Sequence, residues 1–243
     1  MNAIEHNRFT TAWADFGVSI PKPRAVVAVS AHWFIGHTAV TAMDAPKTIH
    51  DFYGFPPNLY AIDYPASGSL QVAEDVAQVL APTWVGLDRD SWGIDHGTWS
   101  VLVHMFPKAD VPVIQLSIDA TKSISEHLEI GRRLNHLRDS GVLVLGSGNV
   151  VHNLRMIDWS APDSAFGWND QFDGLVRQIM QTSPERISEV ESDGNYSRAV
   201  PTPDHFLPLV YVAGVAAEAG TPAQVLVGGP QFGSLSMTSY VID

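Results

Sequence analysis

The sequence predicts a single-domain α/β fold in which a mostly buried, mixed central sheet is flanked by helices. Short apolar runs alternate with longer amphipathic segments along the 243 residues, which is the pattern of strands and helices that share one core. Apolar residues make up 45% of the chain and charged residues only 16%, so a large interior is expected. There is no internal repeat or low-complexity linker, and we expect residues 1–243 to form one domain.

Five segments predict strands. Three of them are nearly continuous apolar runs, typical of strands covered on both faces: "AVVAVSA" (25–31), "VPVIQLSI" (111–118) and "VLVLGSG" (142–148). Two more follow near the end of the chain, "AQVLVGG" (223–229) and "GSLSMTSYVI" (233–242). The last segment alternates apolar and polar residues, so we expect one half-buried strand there.

Three segments between these strands predict helices. Apolar residues recur at helical spacing in "SLQVAEDVAQVLA" (69–81), and "GTWSVLVHMF" (97–106) predicts a second helix. The clearest helix is "SISEHLEIGRRLNHLRDSG" (123–141), where Ser123 and Glu126 are spaced for a capping box at its start.

A fourth helix is predicted within "TPDHFLPLVYVAGVAAEAG" (202–220). Thr202 is placed to act as its N-cap and Pro203 to occupy its first position. Gly220 is placed to end it. This helix would carry His205 in its first turn.

Composition restricts the partners and the location. The formal net charge is −12 and only 14 Lys and Arg are spread along the chain, so a nucleic-acid partner is not expected. No apolar run approaches the roughly 18 residues that a membrane span needs. The first residues lack a basic start and an apolar stretch, and cysteine is absent, which together favour a cytoplasmic protein.

Any metal chemistry must use histidine and carboxylate ligands. The chain has ten histidines and no cysteine, so thiolate sites are excluded. Imidazole and carboxylate donors suit iron or zinc. The histidine content alone therefore favours one of these two metals.

Four histidines lie where an α/β fold gathers its ligands. His32 and His152 follow predicted strands, and His205 starts a predicted helix. Ligands of open α/β sheets bind outside the carboxyl ends of the strands, so all three would face one crevice. His96 lies in a loop between two glycines, just before a helix.

A structural role is open for each of these histidines. A strand-end histidine such as His32 can simply bind a backbone partner, and His205 can bind the adjacent loop. The turn around His96 is explained by Gly93 and Gly97 without any chemistry. The spacing of the residues does not decide between these roles and a functional one.

Seven segments in fixed order carry a resemblance to a known family. Taken together they resemble the class III extradiol ring-cleavage dioxygenases, in the DOPA 4,5-dioxygenase-like branch. The resemblance covers nearly the whole chain and rests on motifs of about five to ten residues. These segments are "SAHWF", "TIHDFYGFP", "WGIDHGTW", "QLSID", "GSGNVVHNLR", "PTPDHFLPL" and "GSLSM".

The resemblance implies a mononuclear non-haem metal site that opens a catechol ring with O2. Matched motif to motif, His32 and His205 are metal ligands that share one ion. His152 is the acid/base, and His96 lines the substrate pocket and helps to bind the catechol or to protonate an oxygen intermediate. His50 is expected to line the same pocket.

The resemblance also implies the metal and the substrate class. Fe(2+) is expected for activity on a DOPA-like catechol with a small polar substituent. The wider superfamily often has glutamate as a ligand where this chain has His205, preceded by Asp204. An all-histidine set is also compatible with Zn(2+) in the purified protein. A homodimer is compatible with the family.

The start of the chain departs from the family pattern. Family members open with a strand and "GHGSPMN", whose histidine is a further metal ligand, whereas this sequence opens with "MNAIEHN". We therefore expect the family's first strand and its "GHGSP" motif to be missing here. The expected consequences are an irregular metal site, poor activity, and improvement of both in a version extended upstream.

Two other functions are open on the same scaffold. A zinc-dependent hydrolase would use a metal-bound water and would be indifferent to oxygen. A non-catalytic metal or small-molecule binding protein would show no turnover. Ring cleavage by an iron-reconstituted sample distinguishes the extradiol dioxygenase from both.

Overall fold

The computed structural model describes residues 2–243. Its strands are β1 (Ala25–Ile35), β2 (Ala39–Thr41), β3 (Gly86–Asp88), β4 (Val113–Asp119), β5 (Val142–Ser147), β6 (Val151–His152), β7 (Gln224–Val227), β8 (Pro230–Gln231), β9 (Leu235–Ser236) and β10 (Ser239–Val241). Its α-helices are α1 (Arg8–Ser19), α2 (Pro57–Tyr60), α3 (Leu70–Val79), α4 (His96–Met105), α5 (Ile124–Leu134), α6 (Gly167–Thr182), α7 (Tyr196–Ala199) and α8 (Leu207–Ala219). Short 3-10 helices complete the fold, at Asn2–Ile4, Asn135–Ser140, Leu154–Met156 and Pro184–Ser192.

The central sheet is mixed, with the strand order β3-β2-β4-β1-β5. β1 runs parallel to both β4 and β5, whereas β2 is antiparallel to β4. Every residue of β4 is buried, and β1 is buried from Ala25 to Ala31. The predicted α/β class with a mostly buried, mixed central sheet flanked by helices is therefore confirmed.

The chain comprises two compact units. The first contains the chain up to Thr121 together with His136–Ser147, and so holds the whole central sheet. In this unit α3 packs on β2, α4 packs on β1 and β5, and α1 packs on α4. Trp99 of α4 is completely buried, so this helix, which begins at His96, is anchored in the core.

The second unit contains Lys122–Asn135 and Gly148–Asp243. α5 and α8 form its main helix pair. Glycines allow the close contact, because a Cβ on Gly131 would lie 2.3 Å from the carbonyl oxygen of Tyr211 and one on Gly214 would lie 2.2 Å from that of Leu128. Two small antiparallel sheets, β7 with β10 and β6-β9-β8, complete the unit.

Local sequence signals placed three of the four predicted helices correctly. The three helices predicted between the strands are α3, α4 and α5. In α5 the Ser123 hydroxyl accepts from the backbone N–H of Glu126, and the Glu126 carboxylate accepts from the backbone N–H of Ser123, so the capping box is confirmed. Gly220 ends α8 with a left-handed φ of 65°, as predicted.

The predicted start of α8 is wrong. The helix begins at Leu207 with Phe206 as its N-cap, and Thr202 and Pro203 lie in the preceding bends. Pro208, rather than Pro203, occupies the first turn. The chain turns here because the backbone N–H groups of Phe206 and Leu207 both donate to the carbonyl of Pro203, so His205 precedes the helix instead of lying in its first turn.

Two strand predictions need correction as well. The segment 233–242 forms two short strands, β9 and β10, because the side chains of Ser236 and Thr238 turn inward to donate to the buried carboxylate of Asp173. β1 does not end at Ala31 but continues to Ile35. His32 therefore lies within a strand rather than after it.

No helix among residues 2–243 is both long and apolar enough to cross a membrane.

The α5–α8 contact yields a stability prediction. We expect Gly131→Ala to destabilise the protein by about 1–3 kcal/mol, because its methyl group would meet the backbone of Tyr211. Gly174→Ala in α6 is the matched control, since nothing lies within 4 Å of its new Cβ and alanine favours a helix by about 0.5–1 kcal/mol. Urea denaturation measures both, and equal effects of the two substitutions would contradict the packing account.

Candidate active site

His32 lies in β1 where the strand becomes irregular. The pairing of β1 with β4 shifts register between Val29 and Phe34, and such irregularities re-aim side chains at the end of a strand. The Ser30 hydroxyl accepts a hydrogen bond from the backbone N–H of His32 at 3.3 Å. The imidazole is partly exposed, with 23% of its surface accessible.

Asp51 joins His32 to His96. One carboxylate oxygen lies 3.1 Å from Nδ1 of His32. The other oxygen lies 2.8 Å from Nδ1 of His96 and also accepts the backbone N–H of His96 at 3.1 Å. A single carboxylate therefore fixes the orientation of both imidazoles.

A buried polar pair fixes the position of His96. His96 is the first residue of α4, and the N-cap of this helix is Asp95. The Asp95 carboxylate accepts from the side-chain amide of Gln115 on β4 at 2.7 Å, and the backbone N–H of Asp95 donates to the same side chain at 2.7 Å. Because Asp95 and Gln115 are both fully buried, the start of α4 is held against the central strand of the sheet.

Gly97 allows the two imidazoles to approach each other. Their ring centroids lie 3.9 Å apart. A Cβ on Gly97 would lie 2.5 Å from Oγ of Ser30 and 2.8 Å from Cδ2 of His32, so no larger residue fits without displacing them. The "DHGTW" motif thus requires glycine for a packing reason.

The Asp51 carboxylate is ionised. Burial opposes its charge, but hydrogen bonds from His32 and His96 outweigh this effect and hold the pKa of Asp51 well below its usual range. An ionised carboxylate only accepts hydrogen bonds, so Nδ1 of both histidines must carry a proton. In the neutral imidazole this leaves the lone pair on Nε2, which is the atom that can bind a metal or accept a proton.

The donor chemistry of this cluster fits a metal ion. His32, Asp51 and His96 each offer a ligand atom, and these three atoms lie within 4.8 Å of one another. Because Asp51 accepts from Nδ1 of both rings, it acts as the supporting carboxylate, and a metal would bind an imidazole of this cluster through Nε2. The carboxylate on Nδ1 is also the partner that metal-binding histidines normally have.

An aromatic cluster adjoins these residues. The ring of Phe52 meets the ring of His96 edge-on, with centroids 5.1 Å apart, and also contacts Phe55 and Tyr60. Phe55 and Tyr60 are about two-fifths exposed. Beside them, His50 packs against Trp99 and Phe52, and its Nε2 bonds to the carbonyl of Ile62 at 2.8 Å.

The other two predicted site histidines meet in the second unit. The rings of His152 and His205 are stacked, with centroids 3.6 Å apart and planes 3° from parallel. Asp204 bonds to Nδ1 of His205. Burial disfavours the charge of Asp204, but hydrogen bonds from His205 and Thr202 prevail and lower its pKa to about 2. His205 thus has the same carboxylate partner on Nδ1 as His32.

Short backbone contacts hold this histidine pair. His152 lies on β6, whose partner β9 pairs it with Leu235. The carbonyl of His205 accepts the backbone N–H of Asn149 at 2.8 Å. A Cβ on Gly148 would lie 2.2 Å from that carbonyl oxygen, so glycine is required here as well.

The sequence analysis assigned roles to five histidines but none to Asp51. Asp51 lies in the quoted segment "TIHDFYGFP", where only His50 received a role. A carboxylate next to a histidine in a matched motif was the available signal. Its partners lie 19 and 45 positions away, and only the fold brings them together.

Sequence and structure comparisons identify the class of protein. Residues 5–241 match the family model described as the catalytic LigB subunit of aromatic ring-opening dioxygenase. The chain belongs to this family, and the predicted enzyme class, an extradiol ring-cleavage dioxygenase among the oxidoreductases, is confirmed. Dioxygenases of this family use a metal, in agreement with the donor set of the His32 cluster.

Individual relatives show which members of the family this chain resembles. The chain is 45% identical over 247 residues to the 4,5-DOPA dioxygenase extradiol of Escherichia coli K12, covering 100% of this chain and 90% of that protein. It is 34% identical to the 4,5-DOPA dioxygenase extradiol of Beta vulgaris, over 96% of this chain and 87% of the relative. The crystal structure of an uncharacterized Escherichia coli K12 protein superposes with a TM-score of 0.85 at 40% identity, over 98% of this chain and 93% of that one.

The bridging carboxylate yields a metal-binding prediction. We expect Asp51→Asn to weaken metal binding by about 10–100-fold, because an amide cannot supply the charge that orients two imidazoles. Asp63→Asn is the matched control, since Asp63 is exposed and its carboxylate accepts a hydrogen bond from Thr48 rather than from a histidine. Titration of the metal-free protein with Zn(2+) against a chelator measures both, and equal affinities would contradict the role given to Asp51.

Proposed function

We propose that this dioxygenase opens the ring of a DOPA-like catechol with O2 at a single metal ion. The observation that carries the proposal is the bridging carboxylate of Asp51, which bonds to Nδ1 of both His32 and His96 and so orients the two imidazoles. The names of the E. coli and Beta vulgaris relatives support the choice of DOPA as the substrate class.

His32 is our first proposed metal ligand, through Nε2. His205 is the second, and its own carboxylate partner on Nδ1 supports this role. Bound iron(II) would supply the redox chemistry that joins O2 to an electron-rich ring. We propose Fe(2+) for turnover and Zn(2+) as an occupant of the purified protein, because histidine and carboxylate donors suit both.

His96 is proposed to move the substrate proton. Nε2 of His96 can accept a hydrogen bond from a catechol hydroxyl and, once protonated, can pass the proton to an oxygen intermediate, whereas His152 is the proposed acid/base. Asp51, which is bonded to Nδ1 of the same ring, would stabilise the imidazolium that forms. This role refines the prediction that His96 lines the pocket and handles protons.

The aromatic cluster is proposed to hold the catechol ring. Phe52 contacts His96 directly, and Phe55 and Tyr60 extend the aromatic surface toward solvent. Aromatic rings favour offset or edge-on contacts with one another, so this surface suits a flat aromatic substrate. The proposed pocket-lining role of His50 belongs to the same surface, since its ring packs against Phe52.

Oxygen consumption tests the proposed function. Metal-free protein is loaded with Fe(2+) or with Zn(2+), and each sample is given L-DOPA in an oxygen-electrode cell. We expect uptake of one O2 per ring opened in the iron sample and none in the zinc sample. Oxygen-independent, zinc-dependent hydrolysis would instead indicate a hydrolase, and tight metal binding without turnover of catechols would indicate a binding protein.

His152 is proposed as the acid/base of the reaction, on the strength of its motif and its contact with His205. We expect His152→Ala to lower kcat by about two to four orders of magnitude while the metal content stays unchanged. His37→Ala is the control, because His37 is exposed and has been given no role in the reaction. Metal analysis and steady-state kinetics on the same preparations check this; a parallel loss of metal would make His152 a ligand.

A further inference from the structure

The loop that carries Asp51 is closed by side chains at its base. Thr48 donates from its hydroxyl to the Asp63 carboxylate at 2.8 Å and accepts the backbone N–H of Tyr64 at 3.0 Å. One step further into the loop, Nε2 of His50 bonds to the carbonyl of Ile62 at 2.8 Å. These contacts join both ends of the segment 48–64, as in a compact loop whose ends lie side by side.

Of these hydrogen bonds, the one made by His50 lies nearest to Asp51 along the chain. A carbonyl only accepts hydrogen bonds, so Nε2 of His50 must donate the proton. The preceding residue is also fixed, because the indole N–H of the buried Trp99 donates to the carbonyl of Ile49 at 2.8 Å. The ring of His50 packs on Trp99, with centroids 5.5 Å apart. The backbone that enters Asp51 is therefore held from two sides.

We propose that His50 is a positioning residue whose bond to the Ile62 carbonyl closes the loop and holds the Asp51 carboxylate against His32 and His96. This inference deepens the proposed function, on which its relevance to catalysis rests. It is additional to lining the pocket, which needs only the aromatic face of the ring. The positioning role needs a hydrogen-bond donor at the place of Nε2.

The physical reason is the length of the loop. Without this hydrogen bond, the two ends of the loop are joined by the contacts of Thr48, which lies further from Asp51, and by a longer bond of 3.4 Å from the Tyr60 hydroxyl to the Phe52 carbonyl. The Asp51 carboxylate must contact two imidazoles at once. A less restrained loop then loses more conformational entropy when these hydrogen bonds form. A small displacement of such an orienting group is costly for the site that it supports.

A matched pair of variants tests the inference. In His50→Gln the side-chain amide nitrogen lies near the place of Nε2 and can still donate to Ile62. His50→Asn is one methylene shorter and cannot reach this carbonyl. Thr48→Val removes both hydrogen bonds of the Thr48 hydroxyl at the base of the loop. It is the control for loop closure in general.

Two measurements on the metal-free chain of 243 residues need no turnover. Hydrogen exchange of the amides in residues 51–61 reports loop closure, and a Zn(2+) titration reports the quality of the metal site. We expect His50→Asn to speed exchange about tenfold and to weaken zinc binding about 10–100-fold. His50→Gln should stay within about threefold of the wild type in both, and Thr48→Val should affect exchange more than zinc affinity.

Either of two results would overturn the inference. One is that His50→Asn exchanges and binds zinc as the wild type does; the other is that His50→Gln is impaired as strongly as His50→Asn. Should the asparagine variant not fold, the comparison of His50→Gln with the wild type still decides. If the wild type fails to consume oxygen with catechols while the variants behave as expected, the proposed function fails and the positioning role stands.

Discussion

The site depends on one carboxylate that is shared by two imidazoles. Asp51 is ionised because the hydrogen bonds from His32 and His96 outweigh the cost of burying its charge. In return it fixes which nitrogen of each ring carries the proton. A metal ligand and a proton acceptor both use a ring nitrogen that has no proton, and in two neutral rings protonated on Nδ1 that nitrogen is Nε2.

The surrounding fold provides the precision that such a shared contact requires. The irregular register of β1 places His32, and the buried pair of Asp95 and Gln115 holds the start of α4 and with it His96. Gly97 leaves the room in which the two rings meet. The same pairing of carboxylate and imidazole recurs at Asp204 and His205 in the second unit.

The sequence correctly predicted those structural features that are decided by residues close together in the chain. The capping box of α5 and the left-handed Gly220 were correct because each is decided within a few residues. The predicted start of α8 was wrong. Tertiary packing and a turn at Pro203 prevailed over the local N-cap signal of Thr202. Asp51 was missed for a related reason: its partners are distant along the chain, so no spacing or periodicity in the sequence brings them together.

The most direct test of the shared carboxylate is nitrogen-15 NMR of the histidine side chains, which distinguishes a protonated ring nitrogen from a bare one. The spectra of His32 and His96 would be assigned in the metal-free protein by comparison with single histidine substitutions. The account predicts that the neutral form of both rings carries its proton on Nδ1 and none on Nε2. A proton on Nε2 with a bare Nδ1 in either ring would contradict the role of Asp51.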